Sequence, residues 1–324
     1  MANGVDQTNE LITSTLRNYE KSGVVQDTIF AGDPLLSVLE SKGKKQVKGG
    51  TQIQVNLRYG KNGNVGSYAG VDPIAKSEID TLAHALFQWK QYSGAFVMSN
   101  IEKLQNASRE QIVDLWAEKI EVTTLSLKDK MISDLYGDGT GNAGKNLLGL
   151  KAVLSDTGIL GGIDRALAPW WKAQVTVRTG APTLAGIQSK IRVIRGPQGR
   201  PDKQGKIDML LGNGAMYDHI KGLIDAKSSQ TTIAGPVAKL GFDSVTIAGA
   251  ELTWSELVPE GELWYLSTDY FGLRVLPGRD FAFTDPIADI VNGVDSTSAY
   301  CLWAGNLTVS NCRYLGRDTG YVIP

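Results

Sequence analysis

Between Thr51 and Tyr59, the apolar residues Ile53, Val55, Leu57 and Tyr59 alternate with Gln52, Gln54, Asn56 and Arg58. A period of two predicts a half-exposed strand. A return strand is expected at about 85–98, where Phe87, Trp89, Tyr92, Phe96 and Val97 fall. The stretch from Gly60 to Leu82 is rich first in Gly and Asn, then in Asp, Pro and Ser. Connections longer than about 15 residues without structure of their own are uncommon in compact domains. A lone two-stranded ribbon is also marginal in water. The pattern predicts an extended hairpin with a long tip, whose apolar face needs a partner surface.

The period then changes. Ser108 and Gln111 form a capping-box pattern, and Ile112, Trp116, Ile120, Leu127, Met131 and Leu135 follow at helical spacing. No Gly or Pro intervenes before Gly137. A helix over 108–136 would be roughly 43 Å long, well over twice the ~11–12-residue mean. It lacks an adequate heptad seam, so a single helix lying across a sheet is expected instead of a coiled coil.

Upstream, residues 1–48 read as an arm. Leu11, Ile12, Leu16 and Tyr19 suggest one short helix. A second is better marked, with Asp33 as N-cap, Pro34 at the first helical position and Gly43 at the stop. The basic run Lys42, Lys44, Lys45 and Lys48 reads as a solvated turn in preference to a site for an anionic partner. Downstream of Gly137 the elements shorten. Helices are expected at Leu184 to about Arg195 and at about 215–226. Strands are expected at Ile207–Leu211, near 244–248, 262–267 and 271–276, and through about 299–322. The fold class is α+β, with an arm, a protruding hairpin, a spine helix and a mixed domain.

Composition narrows the function. The chain has 324 residues, 42% hydrophobic and 21% charged, with a formal net charge of −1. Those values fit a globular protein with a sizeable core and lack the basic excess of a dedicated nucleic-acid binder. Near-zero charge also does little to oppose self-association. Cys301 and Cys312 are expected to be reduced, buried thiols. No apolar run approaches the ~18 residues of a membrane span, and Met1–Asp6 lacks the basic and apolar parts of a signal peptide.

Candidate chemistry is sparse. Gly139 to Asn146 matches G-x-x-x-x-G-K, but Asn146 stands where a phosphate-binding loop has Ser or Thr. The glycines also follow a helix instead of a strand, so a helix stop and mobile loop is the better reading. Asp134, Asp138 and Asn142 have neither the spacing nor the closing Glu of a calcium loop. The two histidines, His84 and His219, have no second ligand at metal spacing, and no G-x-S-x-G elbow is present. No catalytic, cofactor-binding or metal residue is therefore assigned.

The segment Gly161-Gly162-Ile163-Asp164-Arg165-Ala166-Leu167-Ala168-Pro169-Trp170-Trp171 carries no nucleophile–base pair, yet it holds a glycine pair, a proline and adjacent tryptophans. It resembles the Gly-Gly-Ile-Asp-Arg…Pro-Trp-Trp signature of tailed-bacteriophage major capsid proteins. Pro34-Leu35-Leu36, the strand–tip–strand pattern, the long helix and Leu135-Tyr136-Gly137-Asp138-Gly139 follow that family in order. The resemblance implies the Hong Kong ninety-seven type fold. Its parts would be an N-terminal arm (1–48), an extended β-hairpin loop (49–99) and a peripheral domain with spine helix and β-sheet (100–145). A mixed α/β axial domain (146–285) and C-terminal strands returning to the peripheral domain (286–324) would complete it.

The resemblance further implies a virion capsid subunit assembled in the bacterial cytoplasm. Its copies would form hexamers and pentamers of an icosahedral shell around double-stranded DNA, bound without sequence specificity. A separate scaffolding protein and a portal protein are implied as partners, with a decoration protein as an optional one. Candidate subunit-interface residues are Leu35, Leu36, Tyr59, Tyr68, Val71, Trp89, Trp170 and Trp171. Lys61 and Lys76 lie in the loop where some family members crosslink, but no motif around either assigns that role. The alternatives are another phage structural protein, in a tail tube or as a decoration, and a P-loop-type nucleotide-binding enzyme.

Overall fold

The structure is a computed structural model that describes residues 32–70, 72–73, 76–105, 115–196, 205–225 and 243–324. Val71, the proposed helix around Leu11–Tyr19 and the Ser108–Gln111 capping box lie outside the described residues.

In chain order, α1 (Pro34–Val38) runs into a wider turn, Leu39–Gly43, and is followed by β1 (Lys45–Gln46), β2 (Gln52–Arg58), β3 (Leu82–Gln88) and β4 (Lys90–Ser99). Next come α2 (Asn100–Gln105), α3 (Leu115–Tyr136), α4 (Leu150–Val153), β5 (Ile159–Leu160), β6 (Ile163–Asp164), β7 (Gln174–Gly180) and α5 (Leu184–Arg195). They are followed by β8 (Met209–Gly212), α6 (Gly214–Asp225), β9 (Val245–Ile247), β10 (Ala250–Trp254), β11 (Leu263–Leu266) and β12 (Phe271–Val275). The chain closes with β13 (Ala282–Phe283), β14 (Ile287–Ala288), β15 (Ser296–Val309) and β16 (Gly316–Tyr321).

These elements form two compact units. The smaller takes Gln91–Ile132 and Pro277–Ala304. In it β4, β13 and β14 each pair with β15. The helix α3 crosses β4 where Gly94 leaves no side chain: an added Cβ would lie 2.7 Å from Thr123 Cγ2. Lys119 fastens the same contact, donating to Val97 O and to Glu102 Oε2 at 3.0 Å each. A helix lying across a sheet, the arrangement its period suggested, is the one found.

The larger unit takes Asp33–Lys90, Ser133–Leu276 and Gly305–Pro324. Its main sheet has the order β7-β16-β11-β8-β10-β9, with β8–β10 and β7–β16 parallel. All four residues of β8 are buried, as expected for an apolar run covered on both faces. Ile187, Ile191 and Ile194 of α5 and Met216, Tyr217 and Ile220 of α6 pack into one core with Leu210, Leu252, Leu263 and Tyr265 of the sheet. Thr183 caps α5 by accepting from Gly186 N at 3.2 Å, and Gly196 ends it at a φ of 78°. The arm helix follows its sequence signals too. Asp33 Oδ1 accepts from Leu36 N at 2.9 Å, while its other oxygen accepts from Tyr136 OH at 2.8 Å and Ser255 Oγ at 3.2 Å. Burial raises the pKa of this carboxyl group.

Two expectations change. The return strand is not one strand, because β3 ends at Gln88 and β4 starts at Lys90. β3 pairs with β2 from Gln52↔Gln88 to Arg58↔Leu82, whereas β4 joins β15. The joint is Trp89, whose indole donates to Gly50 O at 2.9 Å. β10 was missed altogether. Glu251 and Thr253 interrupt its apolar pattern, yet both are buried.

Among the polar groups, Asp318 is fully buried. Its Oδ2 accepts from Arg178 Nε, Tyr265 OH and Tyr321 OH at 3.1, 3.1 and 3.0 Å, and Lys190 Nζ stands 3.3 Å from Oδ1. Burial pushes both phenols up and the Lys190 ammonium down in pKa. Removing one member of a buried charge cluster strands the others. Asp318→Ala should therefore lose about 3–5 kcal/mol in urea unfolding; a loss below about 1 kcal/mol, the range of an exposed pair, would show the cluster to be dispensable.

Candidate assembly surface

The glycine pair of the sequence signature forms a tight turn. β5 and β6 pair with Leu160 opposite Ile163, leaving Gly161 (φ 61°) and Gly162 (φ 80°) as a two-residue loop. Two successive positive φ values suit the primed hairpin turn that glycine permits. The turn meets the hairpin of β2 and β3. Leu86 N donates to Gly161 O at 2.9 Å, and an added Cβ at Gly161 would lie 2.8 Å from Ala85 Cβ.

The rest of the signature holds that turn in place. Arg165, 2% exposed, donates through Nη1 to Ala152 O and Thr157 O and through Nη2 to Val153 O, at 2.9–3.0 Å. A guanidinium on carbonyls at the C-terminal end of α4 is a favourable cap. Cys312 lies against it, and burial pushes that thiol up to about 12. Both cysteines are free and buried, as expected. Trp171 is 1% exposed and donates its indole N–H to Leu160 O at 3.0 Å. Trp170 stacks on Tyr59 with ring centroids 5.0 Å apart.

The partner surface that the hairpin's apolar face needs is found within its own chain. Ile53, Leu57, Ala85 and Phe87 are all buried. The tip beyond Arg58 is different. Val65 is 81% and Tyr68 65% exposed. Asn64 and Ser77 clamp the tip across its width: Asn64 Nδ2 donates to Ser77 O at 2.6 Å, and Ser77 N and Oγ donate to Asn64 Oδ1 at 3.2 and 2.8 Å. Nothing in the periodicity signalled that clamp.

The interface candidates thus separate. Leu35, Leu36 and Trp171 are buried in their own chain. Tyr59 and Tyr68 are exposed, Trp89 and Trp170 are half-buried, and Tyr59 and Trp170 are brought together. The remaining chemical candidates stay apart. Gly139–Asn146 follows α3 and makes a turn in which Asn142 and Ala143 have φ of 50° and 53°, with no strand leading in. Asp138 is occupied locally, accepting from Thr140 N and Oγ1 at 2.9 and 2.8 Å. His84 sits exposed on β3, and His219 Nε2 lies 3.3 Å from Pro182 O.

No protein-family model and no curated protein matches the sequence. Solved structures do. The chain superposes on a chain of the Cyanophage A-1(L) capsid asymmetric unit with a TM-score of 0.71 at 15% identity, covering 94% of this chain and 97% of that one. The capsid of a native GTA particle gives a TM-score of 0.63 at 11% identity over 94% and 95%. The chain has the Hong Kong ninety-seven type capsid fold. The SrpI encapsulin complex from Synechococcus elongatus PCC 7942 is similar at a TM-score of 0.61 and 15% identity, over 97% and 95%. Among the described residues no helix is long and apolar enough to cross a membrane.

The geometry ranks the two tryptophans. Trp171→Ala should cost about 3–5 kcal/mol, the range for a fully buried aromatic. Trp170→Ala should cost about 0.5–1.5 kcal/mol through its lost stack on Tyr59. Chemical denaturation of the two variants checks the order, and equal losses would mean that the signature does not anchor through Trp171.

Proposed function

We propose that this chain is the major capsid protein of a tailed bacteriophage, self-assembling into hexamers and pentamers of an icosahedral shell that encloses double-stranded DNA. The observation that carries the reading is a hairpin anchored to its own chain at the base while its tip exposes Val65 and Tyr68 beyond the clamp. Exposed apolar side chains on a projection suit a surface that a neighbour covers. The shared fold over nearly the whole length of a cyanophage capsid chain supports the same reading. Near-neutral charge is compatible with dense self-association.

In this reading residues 49–99 lap onto a neighbour, 146–285 meet at the capsomer centre, and scaffolding and portal proteins act in trans. Tyr59, Tyr68 and Trp170 are the interface residues that the geometry favours. An encapsulin-like compartment is the second reading, favoured by the likeness to the SrpI complex. Replacing residues 62–78 by a short Gly-Ser bridge should leave the circular dichroism spectrum intact and abolish closed shells in electron micrographs of cells co-expressing the genomic neighbours. Normal shells from the deletion would refute the role of the tip. Intact wild-type shells that hold protein cargo and no DNA would favour the compartment.

A further inference from the structure

The larger unit holds a recess of about 160 Å³. Lys42, Lys45 and Arg274 line it, together with Asp269 as the one carboxylate. Lys45 and Arg274 are direct register partners where β1 lies parallel to β12. Paired residues on neighbouring strands point to the same face, about 5 Å apart, and like charges placed so are destabilising. Arg274 is half-buried, and burial lowers its pKa. Neither Lys45 nor Arg274 has a side-chain hydrogen bond or ion pair with another described residue. Lys42 acts at a distance on half-buried Asp208, which is itself engaged by Thr268 N at 2.9 Å.

The serine and threonine hydroxyls around the recess are already committed as donors, while Tyr270 also lines it. Thr308 Oγ1 donates to Gly272 O and Ser310 Oγ to Tyr270 O, both at 3.1 Å, and Thr268 Oγ1 donates to Asp208. What the recess offers a ligand is mainly the positive charge of Lys42, Lys45 and Arg274, against the single carboxylate of Asp269. Gly272, two residues before Arg274 on the same strand face, adds no side chain to obstruct it. We propose that this recess is a binding site for a small polyvalent oxyanion of the phosphate class, held by Lys42, Lys45 and Arg274. Arg274 supplies the planar fork that fits such an oxyanion, and the lysines supply point charges. The basic run that the sequence suggested was a solvated turn thus becomes one wall of a site. This inference stands apart from shell assembly and does not rest on it.

Titration calorimetry of the full chain tests it, with inorganic phosphate against chloride at matched ionic strength and a short DNA oligonucleotide in a parallel arm. Saturable phosphate binding is expected. Lys45→Met and Arg274→Met should each weaken it by about tenfold, the loss of one charge-assisted contact. Lys45→Met should be no less stable than the parent in chloride, because it removes a like-charged neighbour. Tighter oligonucleotide binding with the same dependence on Lys45 would identify a phosphodiester source; binding of phosphate alone would identify a free anion. Equal responses to phosphate and chloride, or unchanged binding in both variants, would overturn the site.

Discussion

The structure depends on one contact, the seating of the β2–β3 hairpin on the turn formed by Gly161 and Gly162. A two-stranded ribbon is marginal alone because it buries so little apolar surface. Here the ribbon acquires a third surface, closed by a backbone hydrogen bond from Leu86 to Gly161 and by Trp170 stacked on Tyr59. The contact is close because no side chain stands between the turn and Ala85. Trp171 and Arg165 then tie the turn to Leu160 and to the end of α4. The signature segment is an anchor, and the hairpin is the part it anchors.

That division sorts apolar groups by who covers them. Ile53, Leu57, Ala85 and Phe87 are satisfied within the chain, while Val65 and Tyr68 are left outside it. A chain built this way covers the base of its hairpin by itself and leaves the tip exposed. The Asn64–Ser77 clamp narrows the conformations open to that tip.

Much of this was legible in the sequence, for identifiable reasons. Alternation over 52–58 and a helical period through Met131 and Leu135 are local signals that burial on one face imposes directly. Asp33 and Gly196 mark helix ends because capping chemistry is local as well. The break at Trp89 was not legible, since two strands of similar pattern in different sheets look like one long strand. β10 hid behind Glu251 and Thr253, whose burial depends on neighbours distant in sequence. At the candidate site, the aromatic and glycine content of Gly161–Trp171 singled out the segment that packs on the hairpin. Its direction of packing, inward onto the hairpin, required the fold. The register that sets Lys45 beside Arg274 was likewise beyond periodicity, because the two residues come from separate parts of the chain.

Hydrogen–deuterium exchange of the free subunit and of the assembled shell tests the central claim most directly. An anchored hairpin predicts slow exchange for the ladder amides of 52–58 and 82–88 in both states, with the tip between them slowing only on assembly. Fast exchange of the ladder in the free subunit, slowing only in the shell, would show that a neighbour and not the Gly161–Trp171 segment holds the hairpin, and would contradict the account.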